Sequence, residues 1–379
     1  MQAYITGIGK TRFGPSSNTL VQLAHSAITD ALRDAGIGPD DIGAFVVGNF
    51  LGGPNDSQLH LNSVLAGLFP GLLLPSWRVE AACASGGVAL HQALLAVQEY
   101  GTVLVVGVER MSGVTGNERT RNIGMAGDVI LDQAAGLNFP ANYALVAQAH
   151  MDAYGTTARD LELLSLKNHR NANLNPKAHF FNKSVSQSDL DGGPMVSSPL
   201  RLFDCCPVSD GAAAVVVSSK PRGSRSVPIL ASAVRSDSIS LTQRTTRTSF
   251  PAAVAAAKAC YEQAGIGPGD LSLAEVHDCF TIAEIVAMED IALCAPGEGP
   301  SMVRRGATDI GPSIPVNPSG GLKAGGHAIG ATGVGQAYEV VMQLRGEAGD
   351  RQVAGARLGL THNVGGVGGT CAVHILGGV

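Results

Sequence analysis

Three short segments carry the residues able to do chemistry: Ala82-Cys83-Ala84-Ser85-Gly86, Val276-His277-Asp278-Cys279-Phe280, and Gly326-His327-Ala328-Ile329-Gly330-Ala331-Thr332-Gly333. Two cysteines and two histidines in small-residue settings are the parts for acyl chemistry on a cysteine nucleophile. Cys83 falls between a strand pattern over 77–81 and a helical pattern over 87–100. A thiol at a helix N-terminus lies beside unpaired N–H groups and the positive dipole end, so a lowered pKa is expected there. Ala84, Ser85 and Gly86 leave room for a carbonyl to approach, which favours a nucleophile over a buried structural thiol. His327 likewise precedes a helical pattern over 334–344, where an imidazole deprotonates a thiol or donates to an oxyanion. His277 and Cys279 stand two apart at a strand end and so share one face. A tuned thiol there acts as reversible acid and base. The structural alternative for this segment is strand-end packing, with Asp278 capping a helix over 282–291. The glycine turn His362-Asn363-Val364-Gly365-Gly366 offers N–H groups to an oxyanion hole shared with the Cys83 amide.

The elements that must position these residues are written twice. Asp34-Ala35-Gly36-Ile37-Gly38-Pro39 is matched by Gln263-Ala264-Gly265-Ile266-Gly267-Pro268, an offset of 229 between Ala35 and Ala264. Each copy follows a helical pattern (20–32 and 252–261), stops it at glycine, turns through Gly-Pro and enters a strand (44–48 and 273–277). A second match, Gly211 with Gly369, has an offset of 158, so the first half carries about 71 extra residues between these landmarks. They are expected within 112–200 as a lid. Continuous β-branched runs such as Val103-Leu104-Val105-Val106 predict strands buried on both faces. The expected architecture is α/β: a layered sandwich of two pseudo-symmetric halves, 1–225 with the insertion and 226–379.

Charged residues make up only 15% of the 379, apolar ones 45%, and glycine occupies 49 positions, which favours a compact enzyme with a buried subunit interface. A net charge of −5 without a basic run argues against nucleic acid as a partner. No stretch reads as a signal peptide or a membrane span, so a cytoplasmic protein is expected. The seven cysteines are scattered without Cys-x-x-Cys pairs; reduced thiols and no metal site are expected. Gly7-Ile8-Gly9-Lys10-Thr11 fails as a nucleotide loop because Tyr4 and Arg12 stand where glycines are needed.

Taken together, AACASGG (81–87), LFDCCPVSDGA (202–212), HDCF (277–280), NPSGGLKAGGHAIGATG (317–333), QLRGEAGDRQV (343–353) and HNVGG (362–366) resemble the thiolases over nearly the whole chain. The nearest types are the sterol-carrier-protein type and the archaeal acetoacetyl-CoA type. The resemblance implies a five-layer αβαβα fold and acyl transfer between CoA thioesters through an acylated Cys83. It implies that Cys279 takes the acid/base role other thiolases give to a cysteine where this chain has Asn363. It further implies that His327 activates Cys83 and serves one oxyanion hole with His277 orienting a water or the substrate oxygen there. The amides of Cys83 and Gly365 are implied for a second hole, and Ser249 for a place near the pantetheine. CoA and acyl-CoA are then substrates, with no permanently bound cofactor. A homodimer or homotetramer is expected, with a small OB-fold zinc-ribbon protein as a possible partner. Ala328 stands where the family usually has proline, which predicts a looser backbone at His327. The alternatives are another condensing acyltransferase or a retro-aldolase on the same scaffold, a non-catalytic CoA-binding subunit, and a Cys/His hydrolase.

Overall fold

Along the strands, successive side chains enter different cores. Ala44, Val46, Val103, Val105, Ala213 and Val215 face one apolar cluster, while Phe45, Val47, Leu104, Val106, Ala214 and Val216 face another. This period-two alternation with apolar residues on both sides is what a sheet covered by helices requires. The computed structural model describes residues 3–311 and 313–378.

The strands are β1 (Ala3–Lys10), β2 (Ala44–Gly48), β3 (Ser76–Val79), β4 (Thr102–Glu109), β5 (Met195–Ser197), β6 (Leu200–Arg201), β7 (Gly211–Ser218), β8 (Val227–Ser236), β9 (Leu273–Glu275), β10 (Leu358–Gly365) and β11 (Thr370–Gly377). Except for the β5–β6 hairpin, they form the order β3-β2-β4-β7-β1-β8-β11-β10-β9. The first half supplies β2-β4-β7-β1 and the second repeats it as β9-β10-β11-β8, parallel in the first pair and antiparallel in the next two. The halves join where Ala3–Ile5 of β1 pairs antiparallel with Val227–Ile229 of β8. The division expected between 225 and 226 falls in the link between β7 and β8.

The repeat persists down to single hydrogen bonds. The helices Leu20–Ala35 and Pro251–Ala264 both end on a left-handed glycine, Gly36 at φ 66° and Gly265 at φ 68°. The following turns are tied by Asp41 accepting from the Gly38 amide at 3.0 Å and Asp270 from Gly267 at 2.8 Å. These two helices cover the outer faces. The helices Ser85–Tyr100 and Thr332–Leu344 lie between the halves, contributing Leu90, Ala93, Val334 and Val341 to the shared core. Five layers result.

Segment 112–200 contains the helices Gly116–Gly124, Phe139–Tyr154, Ala158–Asn173 and Gln187–Asp191 and the β5–β6 hairpin. Its apolar residues divide between the halves: Ile123 and Ala126 pack with Phe50, Leu51 and Met111 of the first half, while Tyr143, Val146, Leu161 and Leu164 pack with Val276, Phe280, Ile282 and Ile285 of the second. No helix among the described residues is long and apolar enough to cross a membrane.

Candidate active site

The central helices touch at their first turns because glycines stand at the closest points of contact. A Cβ on Gly86 would come 2.8 Å from the Gly330 carbonyl, and one on Gly333 would lie 2.2 Å from the Gly87 amide and 2.3 Å from Asn363 Oδ1. This close approach brings Cys83 and His327 to one point.

Cys83 follows β3 through a sharp bend in which Ala82, a non-glycine residue, takes φ 49°. The Ser85 hydroxyl locks the bend, accepting from the Ala81 amide at 2.9 Å and donating to the Ala82 carbonyl at 2.6 Å. The thiol is only 6% exposed. Its pKa differs from the sequence expectation: burial pushes the thiol up to about 12, against the pull of the Gly366 amide and its own amide, with Glu109 pushing further upward. The helix begins two residues later, at Ser85, and the Gly87 amide is taken by Asn363 at 3.1 Å. Desolvation therefore outweighs the helix end. The amide of the glycine turn that faces the thiol is Gly366, one residue beyond the expected Gly365, whose own place is the end of the β10 ladder opposite Thr370.

One ring nitrogen each of His277 and His327 and the Cys83 sulfur lie within 4.8 Å of one another. The hydrogen bonds assign opposite protonation to the two rings. Asn363 Oδ1 accepts from Gly87, which orients the amide so that Nδ2 donates to the Cys83 carbonyl at 2.9 Å and reaches His277 Nδ1 at 3.2 Å. His277 Nδ1 is thus an acceptor and its proton sits on Nε2, a buried atom without a partner among the described residues. At His327, Nδ1 meets the Thr332 hydroxyl at 2.8 Å, and that hydroxyl spends its single proton on the Ala328 carbonyl at 3.1 Å. His327 Nδ1 therefore carries the proton and Nε2 is a free base. Burial holds both rings neutral, pushing His327 down to about 3 and His277 well below the usual imidazole range, the latter also repelled by His327 and His362. One base and one donor flank the thiol.

The backbone at His327 is not loosened by Ala328. Val208 forms a parallel bridge with His327, and Ala328 is fully buried at φ −80° and ψ 98°, within reach of the angles proline adopts.

Cys279 and Cys83 both line a cavity of about 560 Å³, with His327, Gly366, Phe280 and Met111. The strand here stops at Glu275, so His277 and Cys279 lie in the loop beyond β9 rather than on the strand itself. That loop is held from the first half: Cys205 bridges Phe280 antiparallel, the Cys206 amide donates to the Cys279 carbonyl at 3.0 Å, and Thr281 donates to Asp204 at 2.8 Å. The Leu202–Asp210 segment is thus a brace for the second cysteine. Burial pushes the Cys279 thiol well above the ordinary value, aided by Cys206 and Cys83. Asp278 caps a different turn from the one expected. It accepts from the Leu322 and Lys323 amides at 2.6 and 3.2 Å and from Asn168 at 2.8 Å, while the helix Thr281–Asp290 has no side-chain cap. Asp278 therefore ties the loop of His277 and Cys279 to the segment that leads into His327.

The insertion forms part of the cavity wall through Arg119, Ile123, Phe139 and Val196. Ser249 does not line it; its hydroxyl donates to Asp290 at 2.6 Å. Two residues with no chemical signature in the sequence complete the site. Glu109 accepts from Asn49 and from the amides of Phe50, Leu51 and Gly330 at 2.8–3.0 Å. Tyr143 reaches in from the insertion. A glutamate ending a buried strand was the only available hint of the former.

Known proteins resemble this chain in sequence and fold. The thiolase N-terminal domain family matches residues 1–198 and the thiolase C-terminal domain-like family residues 233–378. An acetyl-CoA acetyltransferase of Methanothermobacter thermautotrophicus is 45% identical across 98% of each chain. Human sterol carrier protein 2 is 33% identical over 99% of this chain and 71% of its own. Among solved structures, the Ltp2-ChsH2(DUF35) aldolase superposes with a TM-score of 0.85 at 26% identity, covering 99% of this chain and 97% of that one. Human mitochondrial 3-ketoacyl-CoA thiolase superposes at 0.75 with 18% identity, over 100% and 99%. With both domain families covering their respective halves and relatives matching end to end, the chain belongs to the thiolase family and is an acyltransferase.

Proposed function

We propose that the enzyme transfers acyl groups between CoA thioesters through an acyl-Cys83 intermediate, with Cys279 as the acid and base of the carbon–carbon step. The observation that carries this reading is the pairing of a free imidazole nitrogen on His327 with a protonated nitrogen on His277, both gathered at the Cys83 thiol. A thiol held near 12 is not a standing thiolate. His327 takes its proton as sulfur attacks, and the resulting imidazolium then donates to the thioester oxygen beside the His277 Nε2 proton. The amides of Cys83 and Gly366 provide a second pair of donors. In cleavage, the leaving enolate takes the Cys279 proton; the Cys279 thiolate then deprotonates incoming CoA, which attacks acyl-Cys83 and frees it. Condensation is the same sequence reversed. Acetyl-CoA and acetoacetyl-CoA are the first substrates to offer, by likeness to the archaeal acetyl-CoA acetyltransferases. CoA acts as a substrate and leaves with each turnover.

Separating the two half-reactions tests this reading. Cys83→Ala abolishes acyl transfer in a folded protein, whereas Cys279→Ala still accepts an acyl group on Cys83 but lowers cleavage of acetoacetyl-CoA by about 10²–10⁴. Undiminished cleavage by Cys279→Ala removes it from the mechanism.

A second reading, retro-aldol cleavage of a CoA thioester alongside a DUF35 partner, is favoured by the likeness to the Ltp2-ChsH2(DUF35) aldolase. Retention of Cys83 ranks it second. Aldol cleavage that survives Cys83→Ala reverses the order.

A further inference from the structure

Tyr143 lies on the Phe139–Tyr154 helix of the insertion, yet it is fully buried in the core of the opposite half. Its ring stacks on Phe280, the neighbour of Cys279, with centroids 4.6 Å apart and planes 25° apart, and meets Phe250 edge-on at 6.3 Å. Its hydroxyl donates to the Gly366 carbonyl at 3.2 Å, and Cys279 packs in the same apolar cluster, near enough for the hydroxyl to favour a charged sulfur. The amide of that same Gly366 faces Cys83. A buried tyrosine hydroxyl needs a partner; this one has the Gly366 carbonyl, and the Cys279 thiol, packed in the same cluster, is a second acceptor of different character close by. The carbonyl is a constant acceptor; the thiol becomes a strong acceptor only when it loses its proton.

We propose that Tyr143 is the positioning residue of the carbon–carbon step, a neutral donor that turns from the Gly366 carbonyl to the Cys279 sulfur while that sulfur is a thiolate. The inference rests on the reading of Cys279 as acid and base. Hydrogen bonds to a charged acceptor are roughly twice as strong as neutral ones, so the hydroxyl favours the thiolate selectively. The surroundings give that donor its importance. Burial, Cys206, Cys83 and Asp278 all oppose charge on Cys279, and the Tyr143 hydroxyl works against them. On the Tyr143 side, the charged neighbour is Arg244, whose guanidinium lies 5.5 Å from the Phe250 ring centre and donates to the Ser238 and Val367 carbonyls. Tyr143 keeps its proton throughout: the proton lost by Cys279 goes to the enolate carbon, and the one it regains comes from CoA.

The test is the pH profile of acetoacetyl-CoA cleavage for Tyr143→Phe, with Cys83 acylation followed separately by mass spectrometry. Tyr143→Phe acylates Cys83 as the unaltered enzyme does and keeps KM within about twofold. Its kcat falls about tenfold, and the limb reporting Cys279 ionisation moves up by about one pH unit. An unmoved limb and unchanged kcat overturn the proposal. Should Tyr143→Phe fail to fold, 3-fluorotyrosine at 143 keeps the ring and lowers the phenol pKa; as a stronger donor it must move the limb downward, and no movement overturns the proposal equally. Cys279→Ala separates the two failures. If it leaves cleavage intact, the underlying reading falls; if it stops cleavage while both Tyr143 substitutions leave the limb unmoved, only the role of Tyr143 falls.

Discussion

The turn that carries Cys83 and the turn that carries His327 are equivalent positions of the two halves, and they differ in how they are held. Cys83 leaves a four-residue strand that pairs parallel with β2 through a bend closed by Ser85. His327 follows a segment that meets β9 through the Ala274–Val316 bridge and the Ser319–Glu275 hydrogen bonds, and it is pinned from outside its own loop by Asp278, Val208 and the Glu109–Gly330 contact. The nucleophile's bend is closed locally and braced by Asn363 of the other half, whereas the base is held chiefly by tertiary contacts. Two similar turns thus rest on different anchors.

The largest way to break this comparison is to part the turns. Gly333→Ala puts a Cβ 2.2 Å from the Gly87 amide and 2.3 Å from Asn363 Oδ1, a backbone and a buried, hydrogen-bonded side chain with little room to move. A loss of about 3 kcal/mol or more in urea unfolding is expected, with loss of acyl transfer; a change under about 1 kcal/mol contradicts the close approach. Asn363→Ala is milder. It strands the Gly87 amide, the Cys83 carbonyl and His277 Nδ1, and so releases the tautomer of His277 while Thr332 still fixes His327. Destabilisation of about 1–3 kcal/mol is expected. Cys83 acylation should fall about tenfold to a hundredfold, with a larger effect on kcat than on KM, and equal effects on both deny it a role in the transition state.

The resting state of the thiol gives a sharper test with a smaller effect. With its pKa near 12, Cys83 is protonated from pH 6 to 9, so alkylation by a neutral haloacetamide rises with pH through that window without levelling off. A plateau near pH 7, read on the Cys83 peptide, shows a standing thiolate instead. The smallest effect is expected from Ala328→Pro. The backbone already sits at φ −80° after an extended residue, so stability changes by less than about 1 kcal/mol and kcat by less than about threefold; a large loss restores the idea that alanine permits a distinct backbone.

The repeat and the layers were legible because both depend on local pattern. Gly36 and Gly265 terminate equivalent helices, and runs such as 103–106 have nowhere to lie except between covering helices. The four reactive side chains were legible by type. Their electrostatics were not, because Cys83 and Cys279 owe their raised pKa values to burial created by packing of distant segments. The offset from Gly365 to Gly366 depends on where one ladder ends, which a run of glycines does not announce. Tyr143 carries no chemical signature in the sequence; only the docking of its helix on the opposite half brings its hydroxyl to the site.

The central claim is that Cys83 carries the acyl group. Peptide mass spectrometry after brief incubation with acetyl-CoA or acetoacetyl-CoA tests it most directly. The account predicts an acyl adduct on the peptide containing Cys83, removed on addition of free CoA and absent from Cys83→Ala; no adduct with either thioester, or one on a different cysteine, contradicts it.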